Sequence, residues 1–135
     1  MKMQKTYQNL EECLNDTDPH FEFYRAHLRY WRPEAGFTLE TFSESPVGGG
    51  LGGSSSLCIS ILKAFGKWMH RKFEPTELVR IASHIEAQIL EKPTGTQDYF
   101  PPIFGAINFI HYEVPGPRVE IKKIPDDVFE GRFLL

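Results

Sequence analysis

Ser45-Pro46-Val47-Gly48-Gly49-Gly50-Leu51-Gly52-Gly53-Ser54-Ser55-Ser56 is the stretch on which the rest of the chain turns. Five of the eleven glycines fall within positions 48–53, and serines follow at once. Leu57-Cys58-Ile59-Ser60-Ile61-Leu62-Lys63-Ala64-Phe65 comes next, an apolar run with helical character. A glycine loop that feeds directly into a helix suits a phosphate. Glycine accepts positive φ and lets a ligand approach the backbone. The first helical amides lack intrahelical partners, and the helix dipole adds partial positive charge there. The serines can cap the helix, or offer hydroxyls to a phosphate or to a phosphate-bound Mg²⁺. A glycine-rich turn that only reverses the chain is the plain alternative.

Two general motifs fit the loop only on paper. Gly48, Gly50 and Gly53 satisfy G-x-G-x-x-G, but a dinucleotide fold needs a second strand ending in an acid about 20 residues on. Glu74 stands near that distance, yet the residues between read as one helix and a turn. Gly48 and Gly53 also have Walker A spacing, but Ser54 stands where that motif has lysine.

The 135 residues make one domain at most, long enough to bury about two thirds of the unfolded surface. A net charge of −3 leaves no electrostatic footprint for nucleic acid. No stretch is apolar and long enough to span a bilayer, and no signal peptide opens the chain. Cys13 and Cys58 have neither metal nor redox spacing, and Cys58 reads as a small core residue. A cytoplasmic protein, with neither nucleic acid nor membrane as partner, is expected.

Around the loop the periodicity is readable. Leu10, Cys13 and Leu14 suggest a short helix. Phe21, Tyr24, Leu28 and Trp31 predict an amphipathic helix over 20–32, entered at Asp18-Pro19 and ended by Pro33. Phe37 to Phe42 reads as a strand that delivers the chain into the glycine loop. Helices are expected at about 54–70 and from Pro75 to about Leu90. Lys92 to Asp98 is a second loop, and Pro101-Pro102 permits a short helix beginning at the prolines. Ala106–Tyr112 and Arg118–Ile121 predict a hairpin. A helical turn at 125–129 and the start of a strand at 133–135 follow.

If the loop holds phosphates, the remaining needs are few, because phosphoryl transfer is largely positioning and charge neutralisation. Ser54 and Ser55 supply hydroxyls, Glu86 a carboxylate, and Asp98 a possible proton acceptor for a substrate hydroxyl. A glutamate on a helix is more often a solvated charge, and an aspartate after Gly-Thr-Gln is as often a cap.

At this point the chain resembles the GHMP kinases (galacto-, homoserine, mevalonate and phosphomevalonate kinases). Pro46-Val47-Gly48-Gly49-Gly50-Leu51-Gly52-Gly53-Ser54-Ser55 is similar to their P-x-x-x-G-L-G-S-S loop. Glu86, Pro93-Thr94-Gly95-Thr96-Gln97-Asp98 and Phe104-Gly105-Ala106 resemble the downstream block, and Gly-Thr-Gln-Asp with Ile107-Asn108-Phe109-Ile110 looks closest to the sugar-kinase branch that includes heptose 7-phosphate kinases. The likeness covers about Phe37 to Leu135, and the helix over 20–32 is counted with it. It implies an α+β fold of the ribosomal protein S5 domain 2 type, with a left-handed β-α-β arrangement and incomplete because its opening strands are missing. It also implies ATP and Mg²⁺ as cofactors, and a small sugar or sugar phosphate as acceptor. Pro46, Gly48, Gly49, Gly50, Leu51, Gly52, Gly53, Ser54, Ser55 and Ser56 would form the nucleotide loop, with amides from Gly50 to Ser55 around the phosphates. Ser54 and Glu86 would hold Mg²⁺, and Asp98 would orient or deprotonate the acceptor hydroxyl.

Two departures stand out. Gly53 replaces the first serine of the loop, and Tyr99-Phe100 replaces the usual Gln after the aspartate, so an altered acceptor pocket is expected. Family enzymes have two domains and are more than twice as long. The resemblance therefore implies a partial N-terminal domain without opening strands or C-terminal domain, weak or inactive alone. Uncovered sheet edges would favour a homo-oligomer or a complementing C-terminal domain; a non-catalytic fragment is the alternative. Sedimentation is expected to find the chain self-associated, and a monodisperse monomer would count against that expectation.

Overall fold

The computed structural model describes residues 3–43, 49–123, 125 and 128. The order is α1 (Leu10–Asn15), a 3₁₀ turn (Pro19–Phe21), α2 (Glu22–Trp31), α3 (Gly53–Trp68), α4 (Pro75–Leu90), a second 3₁₀ turn (Gln97–Tyr99), α5 (Pro101–Phe104), β1 (Ile107–Glu113) and β2 (Gly116–Lys122). Helices packed on a small antiparallel sheet make it α+β.

The helix ends follow local chemistry. Asn9 caps α1 by accepting from the Glu12 amide at 2.9 Å, and Asp18 accepts from the His20 amide at 3.0 Å ahead of α2. Arg32 closes α2 in the left-handed region, its amide donating to the Leu28 carbonyl, and Pro33 prevents continuation. Pro75 opens α4 at a position where its missing N–H is no loss.

The core lies where α2, α3 and α4 meet. Ala26, Leu28 and Trp31 from α2, Cys58, Ile61, Leu62 and Phe65 from α3, and Leu78, Ala82 and Ile85 from α4 are buried together. Trp31 stacks on Phe65 with centroids 5.5 Å apart and meets Phe73 edge-on at 5.7 Å. The Arg71 guanidinium lies 5.5 Å from the Trp31 ring centroid. Truncating such a side chain to alanine typically costs about 3–5 kcal/mol. Phe100 is fully buried and stacks on Phe104, so the second turn and α5 are pinned to α3.

The helices at 54–70 and 75–90 occur within a residue or two of expectation, as do the short helix at the prolines and the hairpin. β1 and β2 pair antiparallel with Ile110 opposite Val119, and both turn toward the core. Two expectations are corrected. Phe37–Phe42 forms no strand, because no described segment offers it a hydrogen-bonding ladder. Instead Phe37 packs against Phe65 and Trp68, and Thr41 Oγ1 lies 2.8 Å from the Tyr24 hydroxyl. The left-handed β-α-β arrangement is thus not formed among the described residues. The stripe of α2 is also rotated: Arg25 and His27 are buried with Leu28 and Trp31, while Tyr24 is only half-buried. The strand expected at 133–135 lies outside the described residues, as does the turn at 125–129 apart from a Val128 amide bond to Pro125.

Asp16 organises the segment before α2. It accepts from Lys5 at 2.5 Å and Tyr7 at 2.5 Å, and these bonds hold its carboxyl well below the usual carboxylate range. Arg25 is clamped by Glu22 at 2.6 Å. His27 is fully buried. Its Nδ1 donates to the Phe23 carbonyl at 2.8 Å.

Burial pushes the His27 pKa below its ordinary 6.5. The unfolded chain therefore takes up a proton as pH falls through 6.5 while the folded chain does not. This stabilising term is whole above pH 6.5 and declines below it. Urea midpoints are expected to fall between pH 7 and 5.5, and His27→Gln is expected to flatten that slope; an unchanged slope in the variant would refute the assignment.

Candidate functional site

The glycine loop ends by starting α3, as its composition predicts. Gly50 and Gly52 have φ of +69° and +70°, the left-handed region that disfavours a side chain by about 1–2 kcal/mol. Gly52 is the N-cap of α3 and Gly53 its first residue, so no side chain caps the helix. The serines are not caps. They stand in the first turn and turn their hydroxyls toward α4, apart from Ser56, which is exposed. Pro46 and Gly48 lie outside the described residues; Gly49, Gly50 and Leu51 are exposed ahead of the helix.

Glu86 receives those hydroxyls. Ser54 donates to Oε1, and Ser55 donates to Oε2 at 3.2 Å. The Tyr99 hydroxyl also donates to Oε2. Glu86 is only 7% exposed, so it is a buried, hydrogen-bonded carboxylate rather than a solvated surface charge. Its place follows from spacing, because it stands one turn after Ala82 on the stripe that buries Leu78 and Ile85. A carboxylate there holds its place only with donors around it.

Asp98 enters from the other side. It sits in the turn Gln97–Tyr99 and is exposed. A Cβ added to Gly52 would lie 3.5 Å from Asp98 Cβ and 3.7 Å from its Cγ. The Asp98 side chain thus faces the start of α3 across a gap that one methyl group on Gly52 would fill. Its side chain makes no hydrogen bond among the described residues and stands exposed. Glycine at 52 meets the need for a positive φ, and Asp98 faces the place its missing Cβ would take.

The expected nucleotide, metal and acceptor residues therefore converge where the structure describes them. Gly52, Gly53, Ser54, Ser55, Glu86 and Asp98 gather at one end of α3. Two residues join them without having been singled out for a role. Tyr99 closes the far side of Glu86, and Thr94 Oγ1 lies 3.3 Å from the Tyr99 hydroxyl. The Tyr99 ring is buried, and its hydroxyl bears on Glu86. Only its position directly after Asp98 hinted at this.

The surrounding chemistry is quiet. Burial, then the charge of Glu86, pushes the Cys58 thiol up to about 12, so it is a packed side chain and not a nucleophile. Burial with the Glu86 hydrogen bond also raises the Tyr99 phenol. No three of the described His, Cys, Asp or Glu residues gather as a metal-binding group. One carboxylate beside hydroxyl oxygens suits a hard cation that keeps waters and takes phosphate oxygens, so the donor set at Ser54 and Glu86 fits Mg²⁺. Two surface grooves, one at Thr76, Arg80 and Arg118 and one at Lys5, Tyr7 and Asp16, do not touch this end of α3.

The family model described as GHMP kinases N terminal domain matches residues 13–106, and the chain belongs to that family. A relative is the D-glycero-alpha-D-manno-heptose 7-phosphate kinase of Campylobacter jejuni subsp. jejuni, 38% identical over 76 residues. That alignment covers 56% of this chain and 22% of the relative, so the chain spans less than a quarter of that protein in matched sequence. No solved structure matches the chain. The family match reaches back to Cys13 in α1 and ends at Ala106, before the hairpin, earlier at both ends than the span of the resemblance. No described helix is long and apolar enough to cross a membrane.

Removing the buried carboxylate leaves Ser55 and Tyr99 without their shared acceptor. Glu86→Ala is expected to lower stability by about 1.5–3 kcal/mol, the scale of hydrogen bonds to a charged group, with Glu86→Gln costing less. Urea unfolding checks this; equal midpoints for Glu86→Ala and the parent would refute the buried network.

Proposed function

We propose that this chain is the nucleotide-binding part of a GHMP-type kinase that transfers the γ-phosphoryl of ATP to a hydroxyl of a small sugar or sugar phosphate. One observation carries the reading: the Asp98 side chain faces Gly52 where α3 begins, across a gap one methyl group would fill, and its neighbour Tyr99 supplies the hydroxyl that closes the Glu86 network. Family membership and the heptose 7-phosphate kinase relative support the acceptor class.

In this reading the amides from Gly50 to Ser55 face the ATP phosphates, aided by the positive end of the α3 dipole. The wider loop, from Pro46 and Gly48 through Gly49 and Leu51 to Ser56, belongs to the same nucleotide site. Ser54 and Glu86 would hold Mg²⁺ through their side-chain oxygens. When bound, Mg²⁺ neutralises charge on the phosphates. Asp98 orients the acceptor hydroxyl and accepts its proton as the oxygen attacks phosphorus, while the bond from phosphorus to the leaving ADP oxygen breaks. Gly53 brings no hydroxyl to the loop, so Ser54 and Ser55 are the hydroxyls beside the phosphates. The fold is read as a partial S5 domain 2-like domain in a cytoplasmic enzyme.

Turnover by this chain alone is slow in this reading. Asp98 is exposed, Leu51 is 56% exposed and Phe42 is 85% exposed, so the phosphates stand in water. Electrostatic stabilisation is strongest where water is excluded. A second copy of the chain or a complementing C-terminal domain would cover those side chains. The same exposure favours, as second reading, a nucleotide-binding fragment without transfer of its own.

Calorimetric titration with MgADP and a non-hydrolysable MgATP analogue tests the site. Saturable binding to the parent is expected, with loss of at least tenfold in Gly52→Val, since a β-branched side chain at φ +70° strains the loop and crowds Asp98. Circular dichroism checks that the variant keeps its helices. Absence of binding to the parent would overturn the nucleotide reading.

A further inference from the structure

Phe100 and Tyr99 are neighbours, and both are fully buried. Phe100 fills the core with a bare ring stacked on Phe104. Tyr99 adds a hydroxyl, and that hydroxyl meets Glu86. We propose that Tyr99 is a positioning residue that sets the direction of the Glu86 carboxylate and, through the backbone, the place of Asp98.

The directions of the hydrogen bonds follow from proton counting. An ionised carboxylate only accepts, so the single Tyr99 hydroxyl proton goes to Oε2. Thr94, 3.3 Å away, then donates to the Tyr99 oxygen. Ser55 gives a second donor to Oε2 at 3.2 Å. With Oε2 filled from two sides, Oε1 is left to Ser54 in the first turn of α3. Tyr99 thereby turns one carboxylate oxygen toward the glycine loop and keeps the other inside. Its ring also anchors the turn Gln97–Tyr99, so the step back to Asp98 starts from a fixed point. A single side chain joins the metal-facing carboxylate to the residue that meets the acceptor.

This role rests on the nucleotide-site reading given above, and it reaches further because it assigns work to a residue that would touch neither phosphate nor acceptor. Partners that orient a metal ligand typically contribute tenfold to a hundredfold in metal affinity. Tyr99→Phe keeps the ring and removes only the hydroxyl. Calorimetry of the full chain with MgADP, and with ADP in the presence of a chelator, separates the metal-dependent part. Affinity for MgADP is expected to fall about tenfold in Tyr99→Phe, while affinity for metal-free ADP stays within about twofold. In a Glu86→Gln background the same substitution is expected to have no further effect on MgADP affinity, because Tyr99 acts through that carboxylate. The double variant also carries the test if Tyr99→Phe alone does not fold, since no buried charge then lacks its donor. Equal MgADP affinity in Tyr99→Phe and the parent, or an undiminished effect in the Glu86→Gln background, would overturn the positioning role and leave the nucleotide site standing. A parent that binds neither form of ADP would overturn the nucleotide reading and this role with it.

Discussion

A carboxylate inside a helical core loses several kcal/mol of hydration unless the protein replaces it. Glu86 has its replacement in three hydroxyls from two other segments, Ser54 and Ser55 on α3 and Tyr99 in the turn before α5. Those bonds do more than satisfy the charge. They fix the rotation of α3 about its axis, the depth of α4, and the path of the chain from Thr94 to Tyr99. If Glu86 were apolar, the helices could still pack, but the start of α3 and the turn carrying Asp98 would have no shared reference. The arrangement at the end of α3 thus depends on one buried charge.

The apolar core supports that arrangement from below. Trp31, Phe65 and Phe73 lock α2 to the far end of α3, and Phe100 locks the second turn onto α3 near its start. Dispersion and burial fix the helix positions, since close-packed interiors resist even small displacements. The polar bonds then choose among the few arrangements that packing allows. Gly52 supplies a left-handed turn for the loop and leaves open the space that faces Asp98. The face above it is open, with Leu51 and Asp98 exposed, and the chain belongs to the GHMP kinase N-terminal domain family.

Much of the helical layout was legible in the chain itself. The loop-to-helix junction at Gly52, Pro75 as the entry to α4, the prolines opening α5 and the hairpin register zone all follow from local rules. Those rules act over a few residues, through φ preference, missing amide hydrogens and side-chain period. The segment Phe37–Phe42 shows their limit. Its alternation suits a strand, but a strand is defined by a partner, and here its aromatic end lies on α3 instead.

The sequence by itself determined where a glycine-rich stretch would open a helix, which side chains carry oxygens, and the order in which they appear. Tertiary structure alone decided that Glu86 is buried rather than solvated, that the Tyr99 hydroxyl donates to it, and that Asp98 faces Gly52. The physical reason is range. Conformational preference is a property of neighbours in the chain, while hydrogen bonds between residues 54 and 86, or 86 and 99, exist only after the core has brought three segments together.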